Sequence, residues 1–474
     1  MKGNDKDLHA TIQKLQRRIA ELEQENCTLY SRQSPTRTEQ ELLELSAQDI
    51  ERYSQQMILG NGFGVQGQRR LFTSSVLVVG AGGIGSAVLP YLAGAGVGTI
   101  GVVDFDQVEI SNLHRQVIHH TTNATSANNK NSTITGTGMN KAVSAQRAIG
   151  NLNPNVRCIV HETMLTHDNA MDVIQPYDIV VDASDNPQTR YLINDACVLL
   201  SKLYNKRTVP LVSASAVGTE GQLTVYNYNN HDPCYRCMFP NTSSTTGVSA
   251  SCSDAGVLGP VPGVVGILQA VETIKILTEW DCKEPSHVQV MSNRLLMYDA
   301  LRCSFLSIKK PPRRPNCVLC GDTPTIRTMQ DSRNDLAKLR GPSTCERPVA
   351  APLPDTAIIS CQDYHDQVRV PQIPHVLLDV RVKQQFEMCH LPGAINIPLQ
   401  ELPTQLDRVQ SVSNNGTLPI YCICRRGIAS TKATQILLDA QQQEQRTDGT
   451  RSLQNIRGGL NAWHHQVDQT FPMY

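Results

Sequence analysis

Residues 74–106 read SSVLVVGAGGIGSAVLPYLAGAGVGTIGVVDFD, and the order is strand, glycine turn, helix, strand. Gly80, Gly82 and Gly85 spell G-x-G-x-x-G directly after a run of Val and Leu. A strand that turns this sharply into a helix aims the helix's N-terminal N–H groups at whatever lies over the turn, and those groups can hold phosphate. Asp104 ends the second strand about 20 residues further on, where a carboxylate can accept from ribose hydroxyls. Taken alone, the motif suits an NAD- or FAD-dependent oxidoreductase.

Further along, YDIVVDASDN (177–186) and VPLVSASAVG (209–218) are buried strands with helices between them. Strands alternating with helices predict an α/β fold built on a doubly wound, Rossmann-like parallel sheet. HHTTNATSANNKNSTITGTG (119–138) interrupts the alternation with polar sequence of no periodicity, so residues 121–138 are expected to be a disordered surface insertion. The stretch 331–356 ends Pro-rich and nonperiodic and reads as an interdomain linker. Beyond it, HVLLDVR (375–381), GAINIPL (393–399), LPIYCIC (418–424) and LQNIRGG (453–459) are short strands separated by helical stretches. The domains expected are therefore 46–330 and a smaller α/β domain over 357–474. At the other end, Leu8, Leu15, Leu22 and Leu29 repeat every seven residues, with Ile12, Ile19 and Asn26 interleaved. Residues 1–31 thus read as a coiled-coil helix, either self-associating or lying on its own domain.

The chain has 474 residues, 40% of them apolar, and a formal net charge of zero. Neither a basic excess for nucleic acid nor an acidic tail is visible, so no direct nucleic-acid partner is expected. The N-terminus lacks the apolar core of a signal peptide, and no uninterrupted apolar run reaches about 18 residues. The expectation is a soluble cytosolic protein with no membrane partner, its 15 cysteines mostly reduced. Cysteine then signals metal, catalysis or burial.

Around the glycine turn, Asn112 and Arg115 follow Asp104, Lys141 opens the next helix, and Asp185 and Asn186 lie just past a strand. Cations and a carboxylate at such a turn suit a triphosphate with Mg²⁺ better than a nicotinamide, because the cations neutralise charge during phosphate displacement while the carboxylate can hold the metal. Each cation by itself could equally be a solvated surface charge.

PCYRCMF contributes Cys234 and Cys237, and PNCVLCGD contributes Cys317 and Cys320. Two C-x-x-C knuckles in an intracellular chain point to one tetrahedral four-cysteine Zn²⁺ site per chain, clamping distant segments. Cys252 belongs to neither pair; it is either a small buried group or a nucleophile.

In the C-terminal domain, YCICRRGIAS (421–430) ends an apolar strand on Cys424 and surrounds it with Arg425 and Arg426. Backbone N–H groups curving round the sulfur, a helix starting near Ser430, and two arginines favour thiolate or persulfide over thiol. A phosphatase loop would need Arg as the sixth residue after the cysteine, where Ser430 stands, so sulfur transfer is preferred. Cys422, on the same face of the strand, reads as core.

RYSQQMIL (52–59), GAGGIGS (80–86), DFDQVEISNLHRQ (104–116), ASDNPQTR (183–190), PCYRC (233–237), SCSDAGVLGP (251–260) and CVLCGD (317–322), in that order, resemble the adenylyltransferases that activate ubiquitin-like proteins. LLDVR, CHLPGAINIPL, YCICRRGIAS and IRGGLNAW resemble a rhodanese domain. The combination is similar to the eukaryotic two-domain adenylyltransferase–sulfurtransferases. The resemblance implies ATP binding by Gly83, Asp104, Ser111, Asn112, Leu113, His114, Arg115, Lys141, Asp185 and Asn186. It implies zinc on the four cysteines, a thioester or disulfide at Cys252, and persulfide on Cys424. The reaction implied is ATP-dependent adenylation of the C-terminal glycine of a ubiquitin-like sulfur carrier, followed by sulfur transfer to give a thiocarboxylate. The implied carriers are the molybdopterin-synthase small subunit, for molybdenum cofactor, and the ubiquitin-related modifier, for thiolation of tRNA wobble uridine. A persulfide donor such as a cysteine desulfurase and a homodimer are implied too. One departure stands out: family members carry Arg where this chain has Gln55, and that arginine reaches a partner subunit's ATP site. The alternatives are a catalytically weak modifier-binding scaffold and an oxidoreductase with an appended sulfurtransferase.

Overall fold

The computed structural model describes residues 45–59, 63–124, 138–203, 208–229, 232–240, 256–278, 289–340, 353–414, 417–443 and 452–473. They fall into two compact units, one running to Arg340 and the other beginning at Leu353. The heptads of 1–31 lie outside the described residues.

The first unit opens with α1 (Ala47–Met57), fixed by a capping box in which Ser46 and Asp49 satisfy each other's backbone N–H groups. α2 (Gly64–Thr73) leads into β1 (Ser75–Val79), α3 (Gly85–Ala95) and β2 (Thr99–Val103). α4 (Lys141–Leu152), β3 (Arg157–His161), β4 (Ile179–Asp182), α5 (Pro187–Leu203) and β5 (Leu211–Val217) follow. Then come β6 (Glu220–Tyr226), α6 (Pro260–Leu277), β7 (Arg294–Asp299), β8 (Ser304–Lys309) and α7 (Met329–Arg340). The eight strands form one sheet in the order β3-β2-β1-β4-β5-β6-β7-β8. The first five are parallel, and the last three continue antiparallel. The sheet expected to be parallel is therefore mixed. Val217 pairs with Glu220, so only Gly218 and Thr219 join β5 to β6, and a chain that reverses in two residues must return antiparallel.

Side chains alternate across β1, so Val76 and Val78 enter one core and Leu77 and Val79 the other. Both faces are covered, which is why these strands read as unbroken apolar runs. α6 is the one helix among the described residues long and apolar enough to cross a membrane, and it packs against α3, β5 and β6. From β1 the chain moves outward to β2 on one side, while β4 returns on the other. Ligands of such sheets bind where the order reverses, beyond the strands' carboxyl ends.

Two expected boundaries shift. The linker read from residue 331 begins as helix: α7 is held on this unit by Ser332, which is wholly buried and donates to Asp195 at 2.6 Å. The insertion read from 121 begins with a 3-10 turn, Thr121–Asn123, and Met139 N–H donates to Asn123 O at 2.9 Å, closing its base. The expectation of disorder falls on 125–137, outside the described residues.

The second unit is a parallel sheet of β9 (Ile358–Ile359), β10 (Val376–Asp379), β11 (Ala394–Asn396), β12 (Ile420–Ile423) and β13 (Leu453–Ile456), ordered β11-β10-β12-β13-β9. α8 (Ile428–Gln443) and α9 (Gly459–Gln466) flank it, and separate apolar clusters cover its two faces.

Where α6 crosses α3, a Cβ on Gly266 would stand 2.5 Å from Ile84 O and 2.9 Å from Ala87 Cβ, whereas one on Gly263 meets nothing within 4 Å. Gly266→Leu should therefore destabilise the first unit by about 3 kcal/mol through overpacking. Gly263→Ala should stabilise it by about 0.5–1 kcal/mol through helix propensity. Urea unfolding curves of the two variants check both signs.

Candidate functional site

Gly80 leaves β1 with φ +101°, and a Cβ there would stand 2.8 Å from Ala183 O. A Cβ on Gly85 would collide with Gly80 O. Both positions therefore require glycine, and they bring the end of β1 against the end of β4. Asp104, directly after β2, accepts from Ala81 N–H at 2.8 Å and Asp106 N–H at 2.9 Å. Burial raises its pKa, opposed chiefly by the Lys141 charge. Each carboxylate oxygen keeps a lone pair for a further donor. Asn140 caps α4 and ties it back to Asp104 O at 3.0 Å, which sets Lys141 in the first turn, its Nζ 2.8 Å from Asp106. Arg115 donates to Asn112 Oδ1 at 2.7 Å and lies 3.2 Å from His114 Nε2, whose Nδ1 faces Ser111 O. Leu113 N–H closes the same turn on Ile110 O. A Cβ on Gly83 would sit 3.5 Å from the Arg115 side chain.

Asp185 and Asn186 are exposed in the loop between β4 and α5, and Asn186 Oδ1 accepts Thr189 N–H at 2.8 Å. The structure thus gathers the glycine turn, Asp104, Lys141, Arg115 and the 185–186 loop at one carboxyl edge. Sequence reasoning missed what anchors that loop. Asp182, with no exposure, accepts from Ser184, Ser213 and Arg190, and Arg190 also reaches Ser184 O at 3.1 Å. The available signal was an aspartate ending an apolar strand. His119, also overlooked, bridges Ala81 O at 2.8 Å and Ser144 Oγ at 2.9 Å. The carbonyl can only accept, so Nε2 carries the proton. Burial lowers its pKa. Ser86 Oγ and Gln116 Oε1 are buried here without a hydrogen-bond partner among the described residues.

The four sulfurs of Cys234, Cys237, Cys317 and Cys320 lie within 4.8 Å of one another, with nearest pairs at 3.9, 3.7 and 3.3 Å. A tetrahedral ion with sulfur arms of about 2.3 Å needs edges of about 3.8 Å, so the donor set fits such a metal. Hydrogen bonds from the other three thiols hold Cys317 far below its ordinary range. The knuckles are tied into the fold by Arg236, which grips buried Asp195 on α5 at 2.8 and 2.7 Å and Asp335 on α7 at 2.7 Å. Lys202 holds Leu319 O at 2.6 Å, and Arg314 N–H points at Cys237 Sγ.

In the second unit Cys424 follows β12 and is 3% exposed. Gly427 N–H donates to its sulfur at 3.1 Å. Ser430 Oγ lies 3.3 Å from the sulfur and 3.2 Å from Gly427 O. α8 begins at Ile428, so the positive end of a long helix faces the same loop. Cys422 is fully buried in the same core cluster as Cys424. The glycine pair of IRGG braces the loop: Leu460 N–H holds Cys424 O at 2.9 Å, and Asn461 N–H holds Arg425 O at 3.0 Å. A Cβ on Gly459 would collide with Cys424 O. Cys252 lies outside the described residues. Arg52 donates to Leu152 O at 3.2 Å, and Gln55 is exposed.

The ThiF family matches residues 53–319, and a rhodanese-like domain matches residues 361–466. The adenylyltransferase and sulfurtransferase MOCS3 of Anopheles gambiae is 40% identical over 444 residues, covering 91% of this chain and 90% of its own length. Its Drosophila grimshawi namesake is 38% identical, with 99% and 96% covered. That of Dictyostelium discoideum is 40% identical, with 91% and 98% covered.

Elemental analysis should find about one metal ion per chain, lost in Cys317→Ser together with much of the first unit's stability, because ligand binding and folding share their free energy at such sites. Breaking the buried pair with Arg236→Met should cost about 3–5 kcal/mol in chemical unfolding. His119 makes a separate, pH-dependent contribution. Its folded pKa lies below the unfolded value of 6.5, so on acidification the unfolded chain takes up a proton first. That stability is present above pH 6.5 and is lost as pH falls below it. His119→Gln should flatten the decline in unfolding free energy between about pH 7 and 5.

Proposed function

Since the chain belongs to the ThiF family and carries a rhodanese-like domain after it, and is thus an adenylyltransferase and sulfurtransferase, we propose that its two units act in turn on the C-terminal glycine of a ubiquitin-like sulfur carrier. The carrier's carboxylate attacks the α-phosphate of ATP, giving an acyl-adenylate and pyrophosphate. A carboxylate cannot accept sulfur directly, because oxide is too poor a leaving group. Adenylation replaces it with AMP. A persulfide on Cys424 then attacks the acyl carbon, AMP leaves, and an acyl disulfide remains. A thiol attacking the Cys424 sulfur releases the thiocarboxylate, leaving a disulfide that a cellular thiol must reduce. Cys252 is the candidate for that thiol.

The reading rests above all on one chain holding both a phosphate-binding turn ringed by Asp104, Lys141 and Arg115 and a cysteine facing a helix N-terminus. Asp185 is the carboxylate suited to Mg²⁺, whose charge would offset that of the phosphates. Gly83, Ser111, Asn112, Leu113, His114 and Asn186 complete the ATP site. For the metal clamp zinc is the choice, since four thiolates in a closed tetrahedron suit it. The relatives' shared name supports the pairing of activities. The carriers inferred are the molybdopterin-synthase small subunit and the ubiquitin-related modifier of tRNA thiolation. Sulfur would come from a persulfide donor such as a cysteine desulfurase, in the cytosol, with the enzyme acting as a homodimer.

Carrier-dependent ATP–pyrophosphate exchange and thiosulfate sulfur transfer read the two units separately. Lys141→Ala and Asp185→Ala should each cut exchange on the order of 10²–10³-fold, the scale of losing one charge-stabilising group. Both should spare thiosulfate sulfur transfer. Cys424→Ala should show the reverse, with no persulfide by mass spectrometry and no thiocarboxylate. Thiocarboxylate formed by Cys424→Ala, or joint loss of both activities in a folded Lys141→Ala protein, would overturn the assignment.

A further inference from the structure

Gln116 directly follows Arg115, one turn beyond Asn112, its backbone N–H bonded to Asn112 O and its carbonyl receiving His119 N–H. It is 4% exposed; its Oε1 is buried without a hydrogen-bond partner, and no acceptor for its Nε2 appears among the described residues. Glutamine is seldom this buried, and an Nε2 with no acceptor in the protein is open to one from a ligand. The position says which. Gln116 Nε2 would be 3.7 Å from a Cβ on Gly82, and nothing else lies within 4 Å of that point. Gly82 is the second glycine of the G-x-G-x-x-G turn, the one whose missing side chain lets phosphate approach the backbone. On the other side of the turn, Ala81 is held by Asp104 through its N–H and by His119 through its carbonyl. The amide of Gln116 therefore borders the space that Gly82 leaves open.

Building on the ATP-dependent reading above, we propose that Gln116 is a further nucleotide-contacting residue, its Nε2 donating a hydrogen bond to a phosphate oxygen of ATP over Gly82. A neutral amide suits this place. Arg115 and Lys141 already bring charge to the cleft and are held by Asn112 and Asp106, whereas an uncharged donor costs less than a charge to leave unpaired in the free protein.

The test is equilibrium binding of ATP, ADP and adenosine to the full-length protein and to Gln116→Met and Gln116→Glu. Gln116→Met keeps the shape and removes the donor. It should weaken ATP and ADP roughly 10- to 100-fold, the range of one hydrogen bond to a charged group, and leave adenosine unchanged. Gln116→Glu sets a carboxylate against the phosphates and should weaken ATP further than Gln116→Met does. Melting of the nucleotide-free variants shows that each is folded; if Gln116→Glu is not, the comparison of ATP with adenosine in Gln116→Met decides alone. Equal loss for adenosine and ATP, or unchanged ATP affinity in Gln116→Met, would overturn the proposal. A wild-type protein that binds no ATP would overturn the adenylation reading along with it.

Discussion

Gly80 and the carbonyl of Ala183 approach so closely that no side chain fits between them. That contact draws the ends of β1 and β4 together at the point where the strand order reverses. The consequences run outward from it. Gly80 N–H is received by Val103 O at the end of β2, so three strand ends are aligned within one turn. Asp104 then falls beside Ala81, Lys141 beside Asp106, and the Asp182–Arg190 pair can hold the loop that carries Asp185. The site is an outcome of backbone packing first and of charge second.

Its charges are arranged to be held without being spent. Lys141 rests on Asp106 and Arg115 on Asn112. Asp182 and Arg190 are different, being buried deeply enough that they serve as scaffold. The metal clamp shows the same division. Its sulfurs lie on segments far apart in sequence, and the buried Arg236–Asp195 pair joins them to α5, the helix that starts beside the 185–186 loop. Stability at the cysteines and geometry at the 185–186 loop therefore share one helix.

Cys424 presents a different case, a nearly buried sulfur faced by a backbone N–H and a hydroxyl. In the thiol state the proton can be given to Ser430 Oγ, while Ser430 donates to Gly427 O. In the thiolate state the hydroxyl can turn its hydrogen to the sulfur, beside the Gly427 N–H. The potential of the helix N-terminus favours the thiolate over the thiol. The loop keeps this shape because Gly458 and Gly459 press against it. The surroundings of the sulfur thus depend on backbone at Gly458 to Asn461, far along the chain.

Periodicity and punctuation settled much of this in advance. The apolar strands, the glycine turn, the paired knuckles and the strand ending on Cys424 are local patterns, written into neighbouring residues by steric and ligand-spacing rules. The antiparallel extension was less legible, because a two-residue Gly-Thr reversal is a weak signal beside a long parallel pattern. α7 was hidden because its apolar stripe is thin and its attachment is polar, through Ser332 and Asp335 to residues about 100 or more positions away. Arg190, His119 and Gln116 have nothing in their own neighbourhoods to set them apart from surface residues, and for Asp182 the one local signal is its place at the end of an apolar strand. Their meaning comes from burial and from partners that only the packed chain brings within hydrogen-bonding distance. The sequence by itself determined which chemistries were present, and the tertiary structure decided which polar groups were paired, because pairing depends on distances that no local pattern encodes.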